Sequence, residues 1–118
     1  MILIVDDERH ACHAFAEILR LEGHEVMEAE DGVAALILLD KHPFDLVITD
    51  LVMPNINGLN LLSRIRVRWP KTAILLMSAY LSPEKAKIVL DANAEFIHKP
   101  IDPSAFKTTV QRLLTKSN

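Results

Sequence analysis

The sequence predicts an α/β protein: a doubly wound, five-stranded parallel sheet whose strands alternate with five helices. Three observations predict it. Short apolar runs recur along the chain, segments with helical spacing separate them, and capping residues stand where those segments should begin. Strands that alternate with helices imply a parallel sheet sandwiched between helical layers.

The first run, Ile2-Leu3-Ile4-Val5, is fully apolar and partly β-branched, as expected of a central parallel strand covered on both faces. Similar runs follow at Glu25–Glu28 (the weakest), Leu46-Val47-Ile48-Thr49, Ala73–Met77 and Glu95-Phe96-Ile97. Ala11, Phe15, Ile18 and Leu19 form the stripe of a first helix, with Gly23 as its C-terminal cap. Asp31 is placed to cap a second helix from Val33 to Leu39, and Asn57 a third whose face carries Leu61, Leu62 and Ile65. Ser82-Pro83 reads as the N-cap and first-turn proline of a fourth helix, and Asp102-Pro103 repeats the device for a fifth. The fifth helix aligns Phe106, Val110, Leu113 and Leu114. The result is (βα)5, and the pattern alone leaves the strand order open.

Composition narrows the function. The 118 residues, half hydrophobic and a quarter charged, fit one domain spanning 1–118. A net charge of −3 offers no basic patch, so no direct nucleic-acid binding by this domain is expected. The longest notable apolar run, Ala34 to Leu39, is far short of the ~20 residues that span a membrane, so no membrane association is expected. Cys12 is the only cysteine and cannot form an internal disulfide; with no basic leader before Asp6, this points to the cytoplasm. The chain closes on a short polar tail, Thr115-Lys116-Ser117-Asn118.

Function is clearest where the apolar runs stop. The first ends in Asp6-Asp7, the third in Asp50, the fourth in Ser78, and the fifth runs into Lys99-Pro100. Ligands of open α/β sheets bind outside the carboxyl ends of the strands. Three carboxylates, a hydroxyl and an ammonium should therefore converge. Carboxylates at such range repel one another unless a cation sits among them, and hard oxygen donors without His or Cys favour Mg²⁺. Metal and lysine together suit phosphoryl transfer, which needs positioning and charge neutralisation, and a carboxylate can be its nucleophile.

At this point the sequence resembles the receiver domains of bacterial two-component systems, the chemotaxis receivers among them. The resemblance covers essentially the whole chain. It is carried by Ile2-Leu3-Ile4-Val5-Asp6-Asp7-Glu8, by Asp50-Leu51-Val52-Met53-Pro54 with Gly58, by Met77-Ser78-Ala79, and by Phe96-Ile97-His98-Lys99-Pro100. The flavodoxin-like strand order 2-1-3-4-5 is borrowed from proteins of this kind. The resemblance implies that Asp50 is the phosphoacceptor. It implies Asp7, Asp50 and the Val52 carbonyl as Mg²⁺ ligands, with Asp6 acting through water. Ser78 would hydrogen-bond the phosphoryl group, Lys99 would pair with it, the Lys99-Pro100 bond would be cis, and Phe96 would be the aromatic switch. The donor would be a sensor histidine kinase or phosphotransfer protein. The fourth helix, fifth strand and fifth helix would then address a downstream effector protein or output domain. One departure is Asn93-Ala94, where similar sequences carry Gly-Ala; Asn is the usual substitute for Gly in a left-handed helix end.

Two site-flanking positions bear on how long a phosphoryl group would persist. Val52 and Tyr80, two residues after Asp50 and Ser78, carry no carboxylate or carboxamide to hold an attacking water. Slow self-dephosphorylation is the expectation, with an apolar valine and a bulky tyrosine keeping water away. An Asp-nucleophile phosphatase of the haloacid-dehalogenase kind would need a second carboxylate at position 52, and Val52 is not one. A receiver-like interaction module acting without phosphorylation should have lost part of the acidic set or the lysine, and all are present. His10 and His13 are too few for a metal site. His24, His42 and His98 read as solvated or capping, and Cys12, Met27, Met53, Met77 and Trp69 as packing.

Overall fold

A computed structural model of the protein describes residues 1–116; Ser117 and Asn118 of the polar tail lie outside the described residues. Five strands, β1 (Ile2–Val5), β2 (Val26–Ala29), β3 (Leu46–Asp50), β4 (Ala73–Ser78) and β5 (Glu95–His98), alternate with five helices. The helices are α1 (Arg9–Leu21), α2 (Gly32–Lys41), α3 (Gly58–Arg68), α4 (Pro83–Asp91) and α5 (Pro103–Lys116). All strand pairs are parallel, in the order β2-β1-β3-β4-β5. The doubly wound sheet and the borrowed order are both found.

Alternation along the buried strands feeds two cores. Leu3, Val5, Val47 and Leu76 face Leu39 of α2, Leu61, Leu62 and Ile65 of α3, and Val89 of α4. Ile2, Ile4, Leu46, Ile48, Leu75 and Met77 face α1 and α5, where Phe106 and Val110 are fully buried. Apolar side chains on both faces are why the central strands read as unbroken hydrophobic runs. β2 lies at the edge, half-buried over three of its four residues, and its run was correspondingly weak in sequence.

The capping residues act as read. Asp31 accepts from the Ala34 amide at 2.7 Å, Asn57 from Asn60 at 2.9 Å, Ser82 from Lys85 at 3.2 Å and Asp102 from Ala105 at 2.9 Å. Gly23 (φ 92°) and Asn93 (φ 58°) hold the left-handed positions after α1 and α4. Two details differ. The buried line of α1 is Cys12, Ala16 and Leu19, while Ala11, Phe15 and Ile18 flank it half-exposed. Small residues let the helix lie close to the sheet, and Phe15 instead meets Phe106 with ring centroids 5.0 Å apart. α1 is capped by Glu8, which accepts from the amides of His10 (3.2 Å) and Ala11 (2.7 Å).

Arg66, near the end of α3, spends its guanidinium on backbone carbonyls. It donates to Ala92 (2.7 Å), Thr72 (2.7 Å), Pro70 (3.1 Å), Asn93 (3.4 Å) and Trp69 (3.5 Å). These bonds join the end of α3 to the turn between α4 and β5. Among the described residues no helix is long and apolar enough to cross a membrane.

Candidate functional site

Strand register assembles the site. Val5 pairs with Thr49, Asp50 with Met77 and Ser78 with His98, so the polar residues that end β1, β3 and β4 come out side by side. Oxygens of Asp6, Asp7 and Asp50 lie within 4.8 Å of one another. Lys99, just past β5, reaches back over β4, and its Nζ lies 2.9 Å from Asp50 Oδ2. Its own amide is tied to the Ser78 carbonyl at 2.8 Å, and the Lys99-Pro100 bond is cis.

The carboxylates differ in surroundings. Asp7 is exposed, whereas Asp6 (1% exposed) and Asp50 (8%) are buried. Asp6 Oδ1 accepts from the Glu8 amide at 3.0 Å, but Oδ2 is buried with no hydrogen-bond partner. Burial pushes the Asp6 carboxyl above its ordinary range. The Glu8 amide and Lys99 oppose that rise, and the charges of Asp50 and Asp7 add to it. A buried oxygen without a partner, set among three carboxylates that share one close ammonium, fits a hard divalent cation. The donors are all oxygen, so a soft metal has nothing to select it.

The hydroxyl of Ser78 is turned into its own loop, donating to the Tyr80 carbonyl at 2.5 Å and accepting from the Tyr80 amide at 3.2 Å. The Val52 amide approaches Asp50 Oδ1 at 3.4 Å, which brings that backbone to the rim of the site. Phe96 lies half-buried on β5 against the core, edge-on to the His98 ring at 5.3 Å. Val52 (76% exposed) and Tyr80 (74%) both stand mostly in solvent, so neither makes the packed cover over Asp50 that their size suggested.

Gly58 had appeared in the sequence only as part of a motif, and its reason is steric. A Cβ there would lie 2.6 Å from the Asp50 carbonyl oxygen and 2.7 Å from Leu51 Cα. α3 therefore starts directly against the backbone of Asp50, with the Gly58 amide donating to Leu51 O at 2.8 Å. A glycine immediately after a cap residue was the available signal. The histidines do not join the site: His13 pairs with Glu28 at 3.3 Å on the α1 surface, and His42 ends α2.

The family described as the response regulator receiver domain matches residues 2–111. The chain belongs to that family. This receiver domain is 36% identical over 112 residues to the response regulator protein FleR of Pseudomonas aeruginosa, a match covering 94% of the chain and 24% of FleR. It resembles the chemotaxis protein CheY4 of Vibrio cholerae with TM-score 0.89 and 31% identity, over 95% of the chain and 96% of CheY4. A CheY-like receiver domain protein from Methanospirillum hungatei superposes with TM-score 0.93 and 28% identity, over 98% and 94% of the two chains. The receiver domain spans about a quarter of the length of the curated response regulators it matches.

Proposed function

We propose that this receiver domain takes a phosphoryl group onto Asp50 in a Mg²⁺-dependent reaction and passes the signal on through the surface of α4, β5 and α5. The donor is a sensor histidine kinase or phosphotransfer protein of the cytoplasm, and the recipient a downstream effector protein or output domain. One observation carries the reading: Lys99 is ion-paired to Asp50 inside a three-carboxylate cluster that holds a buried, unpartnered oxygen.

Asp7, Asp50 and the Val52 carbonyl would hold Mg²⁺, with Asp6 acting through water, and the ion when bound supplies charge neutralisation for the group in transfer. The chain does the rest. An Asp50 carboxylate oxygen forms the new bond to phosphorus as the phosphorus–nitrogen bond of the donor phosphohistidine breaks, and the imidazole leaves with a proton. Lys99 moves its ammonium from the free carboxylate to the phosphoryl oxygens. The Ser78 hydroxyl gives up Tyr80 and donates to another of those oxygens, and Phe96 follows inward. The phosphate biases a pre-existing two-state element and need create nothing new.

The test is incubation with acetyl phosphate and Mg²⁺. Phosphate labile to alkali and hydroxylamine, as an acyl phosphate is, should appear on Asp50 and be absent from Asp50→Asn, which should keep the fold. Phosphate on another residue, or uptake that survives EDTA, would overturn the reading.

A further inference from the structure

The loop after Asp50 is seated on a helix that sends no side chain into the cluster. Gly32, the first residue of α2, is buried. A Cβ there would lie 2.8 Å from Ile56 Cβ, 3.1 Å from its Cγ2 and 3.2 Å from its carbonyl oxygen. Gly32 is outside the left-handed region that Gly23 occupies, so its need for glycine is steric. The atoms it meets are the stem and backbone of a β-branched residue and cannot swing aside. Relief to normal carbon–carbon contact would move the loop by about an ångström.

Ile56 reaches this seat because Asn55 turns the chain at φ 67°. Elsewhere the loop is fixed by buried Leu51, whose amide donates to Met77 O at 2.9 Å, by buried Met53, and by Gly58 against Asp50. Val52 lies within this frame, its amide 3.4 Å from Asp50 Oδ1.

We propose that Gly32 is a positioning residue of the phosphorylation site: by letting Ile56 seat on the start of α2, it sets where the Val52 backbone stands relative to Asp50. The inference rests on the proposed function and extends it to an element absent from the motif residues. Two glycines on two helices then frame one loop, Gly58 from α3 and Gly32 from α2.

The experiment is a reciprocal size swap, with Mg²⁺ alone as the probe. Wild type, Gly32→Ala, Ile56→Gly and the double variant are first compared metal-free by the amide chemical shifts of Val52 and Met53, then titrated. Gly32→Ala should displace both amides before any metal is added and weaken Mg²⁺ binding about tenfold, as loss of an outer-shell support does. Ile56→Gly should also weaken binding, because it leaves the loop unseated. In the double variant the methyl added at position 32 takes the space that the Ile56 Cβ and Cγ2 vacate, and affinity should return to within about twofold of wild type. An unmoved Val52 amide with unchanged affinity in Gly32→Ala overturns the proposal, as does a double variant no better than either single one. If Gly32→Ala fails to fold, Ile56→Gly decides alone, and unchanged affinity there overturns it. A wild type that neither binds Mg²⁺ nor takes phosphate sinks the proposed function instead; the metal-free shifts still report whether Gly32 positions Val52.

Discussion

Ser78 Oγ donates a 2.5 Å hydrogen bond to the carbonyl of Tyr80 and accepts one from the Tyr80 amide. In this form of the protein the hydroxyl is spent on its own loop. To ligate a phosphoryl group on Asp50 it must exchange that bond for another, so the loop from Ser78 to Leu81 moves when the hydroxyl does. Ser78→Ala removes both ends of the exchange. It should cost about 1 kcal/mol of stability, the net worth of one hydrogen bond. It should leave Asp50 able to accept phosphate, while the Phe96 and Tyr80 resonances no longer shift on phosphorylation. Two-dimensional NMR with beryllofluoride as the phosphoryl mimic reads this, and a wild-type shift pattern in Ser78→Ala would contradict it.

Asp6 makes the metal-free protein pH-sensitive in a defined direction. Its carboxyl is held above the ordinary value of 3.8, chiefly by burial, so the native state binds a proton more tightly than the unfolded chain. Stability therefore falls as pH rises from about 3.8 through the raised value, and the penalty persists above it. Asp6→Asn should raise the melting temperature of the metal-free protein at neutral pH, with a gain that vanishes toward pH 3.8. Mg²⁺ should stabilise the wild type at neutral pH more than it stabilises Asp6→Asn. Calorimetry across that range checks both, and a destabilised Asp6→Asn would refute the account.

Cys12 should be chemically silent in the native state. Its thiol is 3% exposed, and burial, with the charges of Glu28 and Asp6, pushes it up to about 12 from an ordinary 9.0. Thiolate is the reactive form, so iodoacetamide at pH 8 should label the unfolded chain readily and the folded one only through opening. Above about pH 9 the unfolded chain loses its thiol proton first, so stability falls with further rise in pH. Cys12→Ala should flatten that alkaline slope, and rapid native-state labelling would show the burial to be wrong.

The lifetime of a phosphorylated Asp50 should be long compared with that of chemotaxis-type receivers. Val52 and Tyr80 are exposed and offer no packed barrier, but both lack a group to orient the attacking water. Val52→Asn and Tyr80→Glu supply one each and should accelerate decay while leaving Mg²⁺ affinity nearly unchanged. Loss of radiolabel over time measures this. Decay in the double variant at the wild-type rate would remove both positions from the explanation.

The sequence was readable where one residue type solves a local problem. Ile2-Leu3-Ile4-Val5 has no polar face because the strand has no wet side, and Asp31, Asn57, Ser82 and Asp102 cap helices they directly precede. The cluster was readable for the same reason, since Asp6, Asp7, Asp50, Ser78 and Lys99 each stand where an apolar run stops. What stayed hidden depends on partners distant in the chain. Gly32 is required by Ile56, Arg66 by the carbonyls of Ala92 and Asn93, and no periodicity links those positions. Strand order belongs to this class too, because each crossover satisfies the same local pattern whichever side it takes. The face of α1 was legible only in part. Leu19 is buried and Phe15 and Ile18 pack against the same core, but Cys12 and Ala16 are small and weigh little in a hydrophobic stripe, although closeness to the sheet favours them.

The bonds of Arg66 have a mechanical consequence. A guanidinium riveted to carbonyls, with no acidic partner among the described residues, makes a joint that dissolved salt does little to loosen. A lysine in its place would bring one point charge to a fan of acceptors and could not hold them all. The far end of α4 is thereby clamped to α3, while the near end begins at Ser82, four residues from Ser78. A displacement of α4 would therefore pivot about the Asn93 turn and be largest beside the hydroxyl of Ser78.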